Sequence, residues 1–303
     1  MQRNLYKVFT IALFSVLLFN SIACRSGIEN EQNSDSATRE FTDDLGKKIN
    51  LPQDVKRVVS LAPNLTEIIF AVGAGEKLVG VTTFCNYPAK ANEINKIGDT
   101  LKPNIENIIA LKPDVVFVTT ASQLESFSKT LDQQGTKVFV TNPKSLDSIY
   151  KSIETIGDIL GKKENAANIV SEMKKRVETV ENKTAKAEKI TTFVQIDKSL
   201  YTIGQSAFLT DIVSKAGGIS VTNDVPMDFP MLTKERAIKL NPQTIILSES
   251  PDNNEPNDAF KNSDAVKNNK IYKINADILS RPGPRIVDGL EQIAKSLHPE
   301  LFE

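Results

Sequence analysis

The stretch at residues 106–118, ENIIALKPDVVFV, returns at residues 235–247 as ERAIKLNPQTIIL. In both copies a glutamate opens a short segment with helically spaced apolar residues, a proline stops it, and an unbroken apolar run follows. Proline cannot continue a helix, and a short apolar run bounded by turn signals reads as a buried strand. A helix feeding a buried strand is half of an α/β layer, so the same unit met twice in one register predicts two lobes of one type. A second pair, LTEII at residues 65–69 and LTDIV at residues 209–213, points the same way.

Outward from these copies, β-rich runs at residues 57–61, 78–82, 115–119 and 137–140 alternate with helical segments. A second series follows at residues 191–196, 244–247 and 270–274. The expected fold class is therefore α/β: two Rossmann-like lobes with mainly parallel sheets, at residues 41–144 and 190–303. Residues 41–51 alternate around Asp44-Leu45-Gly46 and read as a hairpin. Between the lobes, residues 145–189 carry Ile149, Ile153, Ile156 and Leu160, then Ile169, Met173, Val177 and Val180, as helical stripes interrupted at Gly161. A helical connector resists bending, so the lobes should move little. Two similar lobes place a ligand site in the cleft between them.

The N-terminus assigns the compartment. Arg3 and Lys7 precede an apolar run at residues 8–19, too short to span a membrane, so residues 1–23 read as a secretory signal. Ser21-Ile22-Ala23-Cys24 resembles a bacterial lipobox, with Cys24 as the lipid attachment point. Residues 24–40 are polar and read as a flexible tether. The expectation is an exported protein, lipid-anchored to the cell membrane and facing the periplasm or the outer surface. The only other cysteine is Cys85, so a chain lipidated at Cys24 has no intramolecular disulfide and relies on its core.

Composition argues against several functions. Lys and Arg number 37 against 38 Asp and Glu, a net charge of −1, and no basic field suits nucleic acid. The single histidine, His298, lies in Leu297-His298-Pro299 and reads as a helix-end residue; one histidine cannot build a His-rich metal cage and, placed there, argues against a Ser-His-Asp triad. Residues 204–208 (GQSAF) lack the second glycine of a nucleophile elbow, and there is no Walker loop or CxxC pair. The reading is of a protein that is not an enzyme and holds no resident cofactor or metal.

Six segments, in this order, carry a resemblance: residues 57–67 (RVVSLAPNLTE), 79–82 with Asn86-Tyr87-Pro88, 108–114, 201–204 (YTIG), 216–218 (AGG) and 281–289 (RPGPRIVDG). Together they resemble the substrate-binding proteins of ABC importers for cobalamin and iron chelates, over residues 41–302. The resemblance implies two lobes joined by a long helix, a monomer, and ABC permease membrane subunits as partners. It implies permease docking through one glutamate on each lobe, matched here to Glu67 and Glu235, each also suited to the first turn of a helix, where a carboxylate gains about 0.3–1 kcal/mol. Glu106 and Asp211, their counterparts in the repeats, are expected only to cap helices. The ligand cradle implied is Tyr87, Tyr201 and Phe229, with Arg281 near the lip.

The implied ligand is a corrinoid, with a haem or ferric siderophore as the alternative. The chain has no tryptophan, and Thr119 and Thr100 or Leu101 stand where relatives place some. That absence supports a rival of another class, a surface adhesion or scaffold lipoprotein that does not transport. Few cleft arginines, Arg281 and Arg285, favour a near-neutral ligand over an anionic siderophore.

Overall fold

Short apolar runs rich in Val, Ile and Phe cannot satisfy their backbone groups alone, and here they pair into two parallel sheets. The computed structural model of the protein describes residues 37–120 and 124–303. The signal, Cys24 and residues 25–36 of the tether lie outside the described residues. The first lobe contains β1 (Thr38–Thr42), β2 (Lys48–Pro52), β3 (Val58–Ser60), α1 (Pro63–Ala71), β4 (Leu78–Val81), α2 (Ile105–Ala110), β5 (Val115–Thr119), α3 (Leu124–Gln133) and β6 (Lys137–Thr141). The connector consists of α4 (Leu146–Ile159) and α5 (Lys163–Thr184). The second lobe contains β7 (Ile190–Gln195), α6 (Phe208–Lys215), β8 (Gly218–Ser220), α7 (Lys234–Leu240), β9 (Thr244–Glu249), α8 (Asp264–Lys267), β10 (Ile271–Asn275), α9 (Ala276–Ser280) and α10 (Ile286–Leu297).

The sheets are parallel with strand orders β4-β3-β5-β6 and β8-β7-β9-β10. The orders match term by term, so β3, β4, β5 and β6 correspond to β7, β8, β9 and β10. The repeat at residues 106–118 and 235–247 becomes α2-β5 and α7-β9. Val115, Val116, Phe117 and Val118 are all fully buried, as a strand covered on both faces requires. The edge strand β8 was not among the expected strands: it is three residues long and follows Gly217, whose φ is +89° and whose missing Cβ would meet the His298 ring at 2.5 Å. His298 is the C-cap of α10, buried against that glycine.

The hairpin begins at Thr38, inside the stretch expected to be tether up to residue 40. Hydrogen bonds order those polar residues, which bury little. Arg39 donates from Nη1 to the Asp158 carbonyl (3.0 Å) and from Nη2 to the Ile159 carbonyl (2.9 Å), covering the carbonyls left open at the end of α4.

Within the connector, Ser145 and Ser148 form a capping box that starts α4. Gly161, at φ +70°, turns the chain into α5, whose 22 residues make it the longest helix among the described residues, about 33 Å at the usual rise. At Gly157 a Cβ would lie 2.4 Å from Ala166, so the two helices touch where glycine permits. One buried cluster runs from Val58 and Ile68 through Ile153, Ile156, Met173 and Val177 to Ile212 and Leu290. Bending the lobes apart would have to open that shared core, which is the physical basis for a stiff connector.

Candidate functional site

The cleft lies where the carboxyl ends of the strands of both sheets converge, the usual place for a ligand in an open parallel α/β sheet. Its cavity is about 660 Å³. From the first lobe come Asn64 at the start of α1, Thr83, Phe84 and Asn86 after β4, Thr119 and Thr120 at the end of β5, and Thr141 and Asn142 at the end of β6. Phe208 opens α6, Asp228 and Phe229 lie in the loop between β8 and α7, and Asp277, Ser280 and Arg281 follow β10. Phe208 and Phe229 meet edge to face at 6.5 Å between ring centres, giving one wall an aromatic surface. Hydroxyls and amides dominate the opposite wall; Thr120 donates to Asn142 Oδ1 at 2.7 Å. A second depression of about 560 Å³ lies outside the cleft, beside α7, with Lys234, Lys261 and Lys267 around it.

Two sets of ion pairs beside the cleft cross between lobes. Lys144, after β6, forms an ion pair with Asp228. Deeper in, Glu67 Oε1 accepts from Arg281 Nη1 (2.8 Å) and Arg285 Nη2 (2.6 Å), and Glu67 Oε2 accepts from Arg285 Nε (2.8 Å). The Arg285 contact is two-pronged, the strong form of an arginine-carboxylate pair. Hydrogen bonding to Glu67 raises the Arg285 pKa above its ordinary value. Arg281 also reaches Asn86 Oδ1 at 2.8 Å and Asp277 Oδ1 at 2.6 Å.

This geometry separates the expected site residues. Phe229 and Arg281 line the cavity. Arg281, however, is not a free cation near the lip: its side chain is 8% exposed and committed to carboxylates. Tyr87 and Tyr201 are not among the lining residues. The Tyr87 ring is covered by the Arg285 guanidinium at 4.0 Å, and half-exposed Tyr201 bridges to Met231.

Glu67 also departs from expectation. It is the fifth residue of α1, not in the first turn, and its side chain is 3% exposed. Buried between two arginines, it is not presented to a partner. The exposed glutamate that matches Glu235 is Glu106. Both are solvent-facing, both stand in the first turn of a short helix, and those helices, α2 and α7, precede the equivalent strands β5 and β9. Asn104 and Thr233 cap the two helices in the same way, accepting from Asn107 and Arg236 backbone nitrogens. The Glu235 carboxyl is held below its ordinary pKa by its own backbone N–H and by the Thr233 hydroxyl. Asp211, the counterpart of Glu67, accepts from the Leu146 backbone nitrogen at 2.9 Å and so caps the connector.

The repeat already paired Glu106 with Glu235 and Glu67 with Asp211; that alignment was the signal for this correction. Lys144, Asp228, Phe84 and Phe208 carry no comparable mark in the sequence, because only the meeting of two lobes makes them neighbours. Among the described residues no cluster of His, Cys, Asp and Glu could hold a metal ion, and no helix is long and apolar enough to cross a membrane.

With this geometry in view, the model of a family described as periplasmic binding protein matches residues 58–278. The ABC transporter substrate-binding lipoprotein YvrC of Bacillus subtilis (strain 168) is 31% identical over 271 residues, covering 86% of each chain. A vitamin B12-binding protein of Vibrio cholerae is 30% identical over 249 residues, 81% of this chain and 90% of that one. The crystal structure of the periplasmic vitamin B12 binding protein BtuF of Vibrio cholerae matches with a TM-score of 0.71 at 28% identity, covering 82% of this chain and 99% of that chain.

Proposed function

Because this chain belongs to the periplasmic binding protein family, whose members serve ABC importers as solute-binding components and not as enzymes, we propose that it captures a corrinoid in the interlobe cleft and delivers it to a membrane permease. The observation that carries the ligand reading is the cleft wall: hydroxyls and amides from one lobe face Phe208 and Phe229 from the other, with the charges neutralised in pairs. A corrin is broad, partly apolar and fringed with amides, which suits such a wall. The vitamin B12-binding relative supports the same class. Incubating the purified domain from residue 37 onward with cyanocobalamin, haemin and a ferric siderophore tests it. A red, retained cyanocobalamin complex is expected; retention of haemin or the siderophore in its place would replace the corrinoid, and retention of none would favour the scaffold reading.

Docking to the permease is assigned to Glu106 and Glu235, one on each lobe. Exposed charges of this kind steer association and set register more than they add affinity. Reversing both to arginine should leave ligand binding intact and abolish uptake; unchanged uptake would remove the assignment. Export and lipidation at Cys24 complete the reading, supported by the lipoprotein name of the Bacillus subtilis relative. Cys24→Ala should release the protein from the membrane fraction.

A further inference from the structure

Among the described residues, the positive charge in the cleft wall is Arg281, and how it is held bears on which ligands the cleft admits. Of the described residues lining the cavity, Arg281, Asp228 and Asp277 are charged. Arg281 Nη1 is shared between Glu67 Oε1 and Asn86 Oδ1, both at 2.8 Å, and Nη2 lies 2.6 Å from Asp277 Oδ1. Both terminal nitrogens are thus engaged before any ligand arrives. Behind the wall, Arg285 shares the single charge of Glu67 with Arg281, whose other partner is Asp277, and Lys144 neutralises Asp228. These three positive and three negative groups therefore cancel.

We propose that Glu67 and Asp277 are specificity-determining residues: by occupying the Arg281 guanidinium they remove the anion-attracting charge of the cleft, so that it selects an uncharged, amide- or hydroxyl-bearing ligand and rejects anionic ferric chelates. An anion entering would meet an arginine whose two terminal nitrogens are both taken and, beside it, the Asp277 carboxylate, whose side chain is 39% exposed and whose Oδ2 accepts from Asn86 Nδ2 at 3.1 Å. It would lose hydration without a charged partner in return, an unfavourable exchange. Glu67 acts from behind as a positioning residue, while Asp277 stands on the wall itself.

The inference rests on the cleft being the ligand site, not on the ligand being a corrinoid. Asp277→Asn keeps the side-chain shape, removes one negative charge from the wall and leaves the six groups in and behind the cavity with a net charge of +1. Binding of cyanocobalamin and of an anionic ferric tris-catecholate is measured by fluorescence quenching on wild type and variant, with thermal melting to verify folding. Wild type should bind the tris-catecholate weakly or not at all, and Asp277→Asn should bind it at least about tenfold more tightly, an advantage that shrinks as salt is raised. Asp277→Ala is the second variant and should show the same gain. No gain in a folded variant, or tight binding of the tris-catecholate by wild type, overturns the proposal. If wild type retains no cyanocobalamin while Asp277→Asn gains the anion, the corrinoid reading fails and this one stands.

Discussion

Four carboxylates stand at equivalent places on the two lobes, and they divide by helix. Glu67 on α1 and Asp211 on α6 follow equivalent strands and turn toward the rest of the molecule: one binds two arginines of the other lobe, the other caps the connector helix. Glu106 on α2 and Glu235 on α7 lead into equivalent strands and face solvent. The helix position alone does not decide whether an acidic side chain fastens lobes or meets a partner. What packs against that helix decides it: α1 is buried over residues 64–69, whereas α2 buries only Ile108 and α7 only Ala237.

The largest expected effect tests the buried half of this comparison. Glu67→Gln leaves Arg281 and Arg285 without their shared carboxylate in a buried setting, and should cost about 3–5 kcal/mol, read as a drop in urea midpoint. A change under about 1 kcal/mol would mean the lobes are not fastened there. Asp211→Ala removes a charged cap from α4 and should cost about 1 kcal/mol, with unfolding still two-state if the lobes remain one cooperative body.

A smaller effect concerns α10, the helix that Arg285 precedes. Arg176 on α5 donates to Glu291 at 2.9 Å and holds the Glu291 carboxyl below its usual pKa. Since the folded value is depressed, this stabilisation is present above the ordinary carboxylate pKa and disappears as the pH falls through the lowered one. The pair is partly exposed, so Glu291→Gln should cost only about 0.5 kcal/mol at neutral pH and flatten the acid limb of a stability profile. Least of all, Glu106→Gln with Glu235→Gln should leave the urea midpoint unchanged, as surface substitutions away from packed features do. A lowered midpoint would show that the exposed pair is structural after all.

Much of the fold was legible because strand and helix signals are local. The runs at residues 115–119 and 137–140 became β5 and β6 nearly unchanged, and the stripe of Ile149, Ile153 and Ile156 became the buried face of α4. β8 was illegible, since three residues that begin inside a glycine pair have no periodicity to read. The site was only half legible. Phe229 reached the cleft wall, but Tyr87 went to Arg285, and Phe84 and Phe208 gave no hint of facing one cavity.

By itself the sequence determined two α/β lobes, their order along the chain, the helical connector and the pairing of Glu106 with Glu235 through the repeat. These depend on backbone propensity, hydrophobic period and short-range turns, all written within a few tens of residues. Only the tertiary structure decided that Glu67 is buried and that Arg281 is spoken for, because the partners lie 214 positions apart. A charged side chain becomes a fastener or a contact according to the groups that replace its water, and those groups are brought to it only when the second lobe closes on the first.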